Sequence, residues 1–110
     1  MSYKDKVAGA ESTESSDELK IDGEFDRVYK SVPGPVIIKD SGKEIFTVEK
    51  RGLEDVVVWN PSTGASKLAD FGPADGYKNM ICVEAGSVSA WQTLEPGATW
   101  EGSVLAKAHL

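Results

Sequence analysis

Asp55-Val56-Val57-Val58-Trp59-Asn60-Pro61 is the stretch of this 110-residue sequence that decides its fold. Residues 55–59 form a continuous run rich in β-branched side chains, which is typical of a strand that is buried on both faces. Asn60-Pro61 ends the run, because proline has no N–H to donate to a ladder of hydrogen bonds. The sequence therefore predicts a buried strand over residues 55–59.

Upstream of this strand, apolar and polar residues alternate with the period of two that strands show. The alternation predicts a strand over residues 19–24 and another around Tyr29. The apolar run 36–39 leads through Asp40-Ser41-Gly42 into the run 44–50, which predicts a hairpin. On the second strand of that hairpin, we expect Ile45, Thr47 and Glu49 on one face, and Phe46, Val48 and Lys50 on the other.

Downstream of the central run, turn-forming residues separate short apolar segments. Residues 62–70 are the best candidate for a short helix. Residues 80–84 predict a second buried strand, and residues 92–94 and 99–107 predict a closing hairpin. Short strands separated by proline and glycine turns indicate an all-β sandwich or barrel with antiparallel strands rather than a βαβ fold.

The chain is expected to be one portion of a larger sandwich. Such folds close by pairing early strands with late ones, and the aromatic clusters here have no obvious partners on the N-terminal side. The segment 11–18 contains four acidic residues, no basic residue and no large apolar residue, so it is interpreted as a solvated acidic loop. Residues 1–110 are therefore assigned to a single domain that is present only in part.

Composition excludes several classes of function. Twelve lysines and arginines against eighteen acidic residues give a net charge of −6, which argues against binding to nucleic acid or to an anionic membrane surface. One cysteine and one histidine cannot build an intrachain disulfide or a conventional zinc or iron–sulfur site, so no metal is expected. Residues 1–9 have no signal-peptide pattern and no stretch is long and apolar enough to span a membrane, so we expect a cytoplasmic protein.

Two carboxylates are candidates for chemistry. Glu84 follows the apolar run 80–83 and precedes Ala85-Gly86, so it is expected at the end of a buried strand, partly desolvated and suited to proton transfer. Asp26 could accept hydrogen bonds from sugar hydroxyls or cap a turn between strands. The residue pattern alone also allows Glu84 to be a solvated strand-end residue or the partner of a lysine.

Other reactive and aromatic side chains are interpreted as structural. Cys82 lies between apolar residues with no partner base, so it is assigned to the core. His109 is next to last in the chain, where a frayed terminus cannot hold an acid in position. Trp59 and Trp100 are interpreted as packing residues, and Trp91 is left open between packing and sugar stacking. Three cations are open to a phosphate contact or to simple solvation: Arg27, Arg51 and Lys78.

The order of several segments in the sequence resembles that of a known family. This resemblance favours functional over purely structural roles for the two carboxylates. The segments are YKDK (3–6), EFDRVY (24–29), DVVVWNP (55–61), ADF (69–71), YKNMICVE (77–84) and LEPG (94–97). Together they resemble the C-terminal part of the glucose-6-phosphate 1-epimerases, or hexose-6-phosphate mutarotases, within the galactose-mutarotase-like family. The likeness extends over nearly the whole chain.

The resemblance implies a large β-sandwich enzyme that needs no cofactor and interconverts the α and β anomers of hexose 6-phosphates. Its small-molecule partner would be a sugar phosphate. In the family, the carboxylate at the position of Glu84 is the general base that takes the proton of the anomeric hydroxyl. The aspartate at the position of Asp26 contacts substrate. These two residues are the catalytic and substrate-binding positions that the resemblance assigns.

The sequence also departs from the family pattern. The family's catalytic histidine and its phosphate-binding arginines lie upstream of the residues present here, and His109 matches neither in position nor in context. Ser62 stands where a second tryptophan is common, and Phe25 stands where threonine is usual. We therefore expect little activity from the 110 residues alone. The alternatives are a non-catalytic β-sandwich that binds carbohydrate or a partner protein, and an aldose epimerase that does not require phosphate.

Overall fold

A computed structural model describes all 110 residues, which form eight strands and two 3-10 helices. The strands are β1 (Ser2–Asp5), β2 (Ala10–Thr13), β3 (Phe25–Tyr29), β4 (Val36–Asp40), β5 (Lys43–Arg51), β6 (Asp55–Asn60), β7 (Cys82–Gly86) and β8 (Ser103–Ala108). The 3-10 helices are Ser62–Lys67 and Gly76–Asn79. Every strand pair is antiparallel, which confirms the predicted all-β class. Neither helix is long and apolar enough to cross a membrane.

The strands form one sheet of five, ordered β2-β1-β3-β6-β7, and one of three, ordered β4-β5-β8. Strand β6 lies between β3 and β7, as expected for the apolar run that defines it. Val56 and Val58 are buried, but Val57 and Trp59 on the alternate positions are only half-buried. The prediction of burial on both faces is therefore wrong for one face, because packed side chains cover only the other.

The core lies on the face of the larger sheet that we call the inner face. It is built from Phe25, Tyr29, Val56 and Val58, and none of these side chains is more than 7% exposed. Half-buried residues from the loops and from β1, β4 and β7 pack against this cluster: Tyr3, Leu19, Ile21, Val32, Val36, Ile81 and Val83. The opposite side of the same sheet is the outer face.

Buried polar side chains hold both ends of β6. At its start, the Asp55 carboxylate accepts hydrogen bonds from the N–H groups of Ser31 (3.1 Å), Val88 (2.9 Å) and Ser89 (2.8 Å). At its end, the Asn60 amide donates to the carbonyls of Tyr77 and Met80 and accepts from the Ser62 N–H. Each side chain thereby satisfies its own buried polar atoms and fixes the loops that meet it.

The predicted hairpin in the smaller sheet is confirmed. Strand β4 pairs with β5 so that Asp40 faces Lys43 across a two-residue turn. Both turn residues, Ser41 and Gly42, have positive φ (51° and 79°), which is the conformation of a type I′ hairpin turn. Val48 pairs with Val36 and is buried, and the register of the two strands shifts between Ile38 and Lys39.

A hairpin of β1 and β2 begins the larger sheet, although the residue pattern did not predict it. Its turn is organised by Asp5, whose carboxylate accepts hydrogen bonds from the N–H groups of Val7 and Ala8, both at 2.9 Å. Residues 11–13 belong to β2 and not to the loop predicted over 11–18. Their side chains are nevertheless exposed, because β2 is the edge strand.

Three other predictions are wrong in part. Residues 19–24 form no strand, although Leu19 and Ile21 still pack on the core. The helix predicted over 62–70 is a 3-10 helix over Ser62–Lys67. Residues 92–94 form no hairpin with the last strand, because β8 pairs with β5 instead. Alternation reports which side chains face a core, but it does not identify a distant pairing partner.

Replacing Asp55 by asparagine should lower the free energy of unfolding by about 2–4 kcal/mol, because three N–H groups lose a charged acceptor. Urea denaturation at pH 7 measures this. Asp75→Asn is the matched control, since that exposed side chain makes no capping hydrogen bond. If Asp55→Asn changed the free energy of unfolding as little as Asp75→Asn does, the hydrogen bonds to Asp55 would not stabilise the fold.

The stabilisation that Asp55 provides should depend on pH. Burial alone would raise the pKa of Asp55, but hydrogen bonds from Ser89, Ser31 and Val88 outweigh it and hold this pKa below its usual value. The stabilisation is then fully present above the unfolded pKa of about 3.9 and is lost as the pH falls through the folded pKa. The difference between wild type and Asp55→Asn should therefore shrink below pH 4.

Gly52, between β5 and β6, should be intolerant of a side chain. Its φ is +68°, and a Cβ there would collide with the Glu101 carbonyl oxygen. Gly34 has the same φ but open space around it, so Gly34→Ala isolates the conformational cost of about 1–2 kcal/mol. Gly52→Ala should cost at least about 1 kcal/mol more in urea denaturation. Equal losses of stability in the two variants would mean that the Glu101 carbonyl moves away from the new methyl group without cost.

Candidate active site

The outer face of the larger sheet carries both predicted site residues. Pairing of β3 with β6, and of β6 with β7, sets two rows of side chains across this face: Asp26–Trp59–Cys82 and Val28–Val57–Glu84. Directly opposed residues in antiparallel strands point to the same side. Asp26 and Glu84 are therefore brought to one face, although 58 positions separate them in the sequence.

The two carboxylates lie at a distance that leaves room for a ligand between them. They are two strands apart and two residues out of step, which gives a backbone separation of roughly 12 Å from the usual strand spacing and rise. The five ion pairs of the chain all use other carboxylates, so neither Asp26 nor Glu84 has a charged partner. Both have oxygens free to accept hydrogen bonds from a ligand.

Glu84 does not lie where the sequence placed it. Strand β7 extends from Cys82 to Gly86, so Glu84 is in its middle and not at its end. Its side chain is exposed, since β7 is the edge strand of the larger sheet. The expected partial desolvation is therefore absent from the chain by itself, and only a ligand or another segment covering the outer face would supply it.

Trp59, which the residue pattern assigned to packing, lies among the residues of the candidate site. It lies directly between Asp26 and Cys82 on the outer face and is half-buried there. The indole presents a large apolar surface with an N–H donor. The alternation of side chains along a strand indicates this position, since residues 57 and 59 alternate with the buried residues 56 and 58. Trp59 therefore faces away from the core that contains Val56 and Val58.

Cys82 shares the outer face with Glu84, two residues away on the same strand. Burial, and then the negative charge of Glu84, raise the pKa of the Cys82 thiol. A raised pKa lowers the thiolate fraction at neutral pH, and the thiolate is the nucleophile. This agrees with the assignment of Cys82 as a packing residue and not as a nucleophile.

Arg27 is not available to a ligand on the outer face. It lies on the inner side of β3, with its guanidinium over the rings of Phe25 (4.2 Å) and Tyr3 (4.5 Å). It also pairs with Asp5 at 3.3 Å and with Glu14 at 3.7 Å. These contacts assign Arg27 to the structure and remove it from the candidates for phosphate binding.

The only histidine is held in place but lies on the other sheet. The His109 N–H donates to the Ile45 carbonyl, and its Nε2 is 2.6 Å from the Thr47 hydroxyl. The expectation of a frayed terminus is therefore wrong. Both contacts are made with β5, so His109 belongs to the smaller sheet and not to the sheet that carries Asp26 and Glu84.

The remaining tryptophans lie in the segment between β7 and β8, outside any strand. Trp91 is fully exposed, and Trp100 is 47% exposed with its ring close to Gly102. The packing role predicted for Trp100 is thus only partly met. The chain contains no group of three or more potential metal ligands. A depression beside β5 and β8, lined also by Gly34 and Pro35, contains neither carboxylate.

The outer face therefore offers two free carboxylates beside an indole and two valines. The indole and the valines form an apolar floor for the flat face of a ring, and the carboxylates accept hydrogen bonds from hydroxyls at its edge. Glutamate can also take a proton from a hydroxyl that it contacts. This combination suits a polyhydroxylated ring better than a nucleotide or a metal ion.

Comparison with known proteins gives a family and a relative. Residues 3–107 match the aldose 1-epimerase family. A protein of Cenchrus ciliaris that carries the provisional name glucose-6-phosphate 1-epimerase is 41% identical over 111 aligned residues. That alignment covers 98% of this chain and 33% of the relative, so the chain spans about a third of the length of the curated relative that it matches.

Reactivity of Cys82 should report the charge on Glu84. Because that charge raises the pKa of the thiol, Glu84→Gln should increase the rate of reaction with a disulfide reagent such as DTNB at pH 7.5, by about twofold. Glu44→Gln, an exposed change on the other sheet, should leave the rate unaltered. If Cys82 reacted at the same rate in the two variants, the charge of Glu84 would not raise the pKa of the thiol.

Proposed function

Since the chain belongs to the aldose 1-epimerase family, we propose that it provides the general base of a glucose-6-phosphate 1-epimerase. The observation that carries the proposal is the meeting of Asp26, Trp59 and Glu84 on one open sheet face. The name of the Cenchrus ciliaris relative supports a sugar phosphate as substrate. The reaction would interconvert the α and β anomers of a hexose 6-phosphate.

In the proposed mechanism, Glu84 takes the proton of the anomeric hydroxyl while an acid protonates the ring oxygen. The bond between C1 and the ring oxygen breaks, and an open-chain aldehyde forms. Rotation about the C1–C2 bond presents the other face of the aldehyde to the hydroxyl at C5. Reclosure returns both protons by the reverse transfers, so the reaction needs no oxidant and no cofactor.

The other outer-face residues have binding roles in this proposal. Trp59 would support the apolar face of the pyranose, and Asp26 would accept hydrogen bonds from its hydroxyls. A bound ring would cover Glu84 and remove water from it, which strengthens its interaction with the anomeric hydroxyl. Exposure of Glu84 in the unliganded chain is then the condition that lets substrate reach it.

The acid is the part of the machinery that the outer face does not provide. His109 lies on the other sheet, and a general base alone is worth about 10²–10⁴ in rate. Without an acid in position the ring oxygen has no proton donor, and the bound geometry is not productive. We therefore propose that the 110 residues alone accelerate anomerisation little.

A second candidate function is favoured by the exposure of Glu84. An open face with free carboxylates and an indole also suits a carbohydrate-binding β-sandwich that performs no chemistry. Such a module would bind sugar without changing its rate of anomerisation. A phosphate-independent aldose epimerase would instead treat free glucose and glucose 6-phosphate alike.

The proposal is tested by inserting this chain in place of the matching third of the Cenchrus ciliaris relative. We expect the chimera to accelerate exchange between the anomers of glucose 6-phosphate, measured by exchange NMR, and the isolated chain to stay near the buffer rate. In the chimera, Glu84→Gln should lower the rate by about 10²–10⁴-fold, because the base is lost. Asp26→Asn should mainly weaken binding of substrate.

Glu44→Gln is the control, because it removes an exposed carboxylate of the other sheet. An active chimera that tolerates Glu84→Gln would overturn the role of Glu84. Sugar binding by the isolated chain together with an inactive chimera would favour the binding module. Equal acceleration with free glucose would favour an epimerase that does not require phosphate.

A further inference from the structure

The segment that follows β7 turns back over one end of the outer face. Gly86 is the last residue of β7, and it has the same orientation as Glu84 because residues two apart on a strand point to the same side. A Cβ on Gly86 would lie 3.2 Å from Cγ1 of Val88. The Val88 side chain therefore lies on the outer face, beyond Glu84.

Asp55 gives independent evidence for this position. It lies opposite Gly86, so its side chain also points to the outer side of the sheet. Asp55 is nevertheless only 3% exposed, and the N–H groups of Val88 and Ser89 donate to its carboxylate at 2.9 and 2.8 Å. Residues 88 and 89 thus cover this end of the outer face, and the two hydrogen bonds fix their backbone there.

The covering segment closes into a short loop that carries an exposed tryptophan. The Gln92 amide donates to the Ser87 hydroxyl, so the two ends of the loop 87–92 meet beside the end of β7. Val88 is 57% exposed and Trp91 is fully exposed, so the indole is not packed against the rest of the chain. Because the loop is already anchored, a ligand that covers these side chains has little chain entropy to overcome.

We infer that loop 87–92 forms one wall of the sugar site, and that Val88 and Trp91 contact a pyranose bound on the outer face. The inference rests on the proposed function and adds two residues to those that would touch the substrate. Val88 would pack against the edge of the ring nearest Glu84, and Trp91 would stack on an apolar face of the sugar.

The spacing along β7 suits a single ring. Trp59 lies opposite Cys82, and loop 87–92 begins after Gly86, four residues further along the strand. At the usual rise of a strand, this separation is roughly 13 Å of backbone. Glu84 lies midway, so a pyranose bound between Trp59 and the loop would have this carboxylate at its edge.

The composition of loop 87–92 also suits a sugar. Its six residues are SVSAWQ, which include no charged side chain. Hydroxyl and amide groups hydrogen-bond to sugar hydroxyls, and an indole covers the C–H groups of the ring. Since the loop has no charge to offer a phosphate, its contacts should contribute equally to binding of a free sugar and of a phosphorylated one.

The test is an NMR titration of the 110-residue chain, which follows amide and indole N–H peaks, with glucose 6-phosphate and, separately, with glucose. Trp91→Ala should weaken binding of both sugars by about three- to tenfold, because an aromatic contact is lost. Trp91→Phe should keep most of the affinity, since a ring remains. Leu105→Ala is the matched control, because Leu105 is a 51% exposed apolar residue of the smaller sheet.

Trp91 is fully exposed, so its variants should fold, and dispersion of their amide spectra verifies this. If wild type and Trp91→Ala bound both sugars equally well, with shifts at Asp26 and Glu84, the wall would be overturned and the proposed function would stand. If neither sugar shifted Asp26 or Glu84 in the wild type, both the inference and the proposed site would be overturned. Weaker binding of glucose 6-phosphate alone in Trp91→Ala would also overturn the inference, because the contact would then depend on phosphate.

Discussion

The clamping of strand β6 at both ends is the constraint on which the rest of the structure depends. Asp55 and Asn60 are buried, and a buried carboxylate or amide is stable only when hydrogen bonds replace the water it has lost. Their partners are backbone groups of three loops, which are thereby fixed against the strand. Because β3 and β7 pair with this anchored strand, their registers, and hence the outer face, are determined by it.

The two faces of the larger sheet have different chemistry because only one is covered. On the inner face, Arg27 is surrounded by aromatic rings and carboxylates, so its charge is fully used within the fold. On the outer face, Asp26 and Glu84 remain without charged partners on either side of Trp59. Charges left unpaired beside an apolar surface are available to a ligand, and this contrast supports the proposal that the site lies on the outer face.

Prediction from sequence succeeded where local signals were strong and failed where the partner was distant. The continuous run that forms β6 and the turn at Ser41-Gly42 are read from neighbouring residues alone. Strand β8 was found, but its pairing with β5 was not, because residues more than 50 positions apart share no local pattern. Glu84 and Asp26 were assigned through the family resemblance, and their environment, exposed or half-buried, depended on which face the sheet left open.

The sequence by itself determined the class of fold and the central strand, since strand propensity and turn chemistry act between close neighbours. It made Asp26 and Glu84 candidates only through the family resemblance. Only the tertiary structure decided that Asp26, Trp59 and Glu84 share one face and that Arg27 and His109 lie elsewhere. The physical reason is register: a shift of one residue in the pairing of β3 or β7 would move every side chain on that strand to the opposite face.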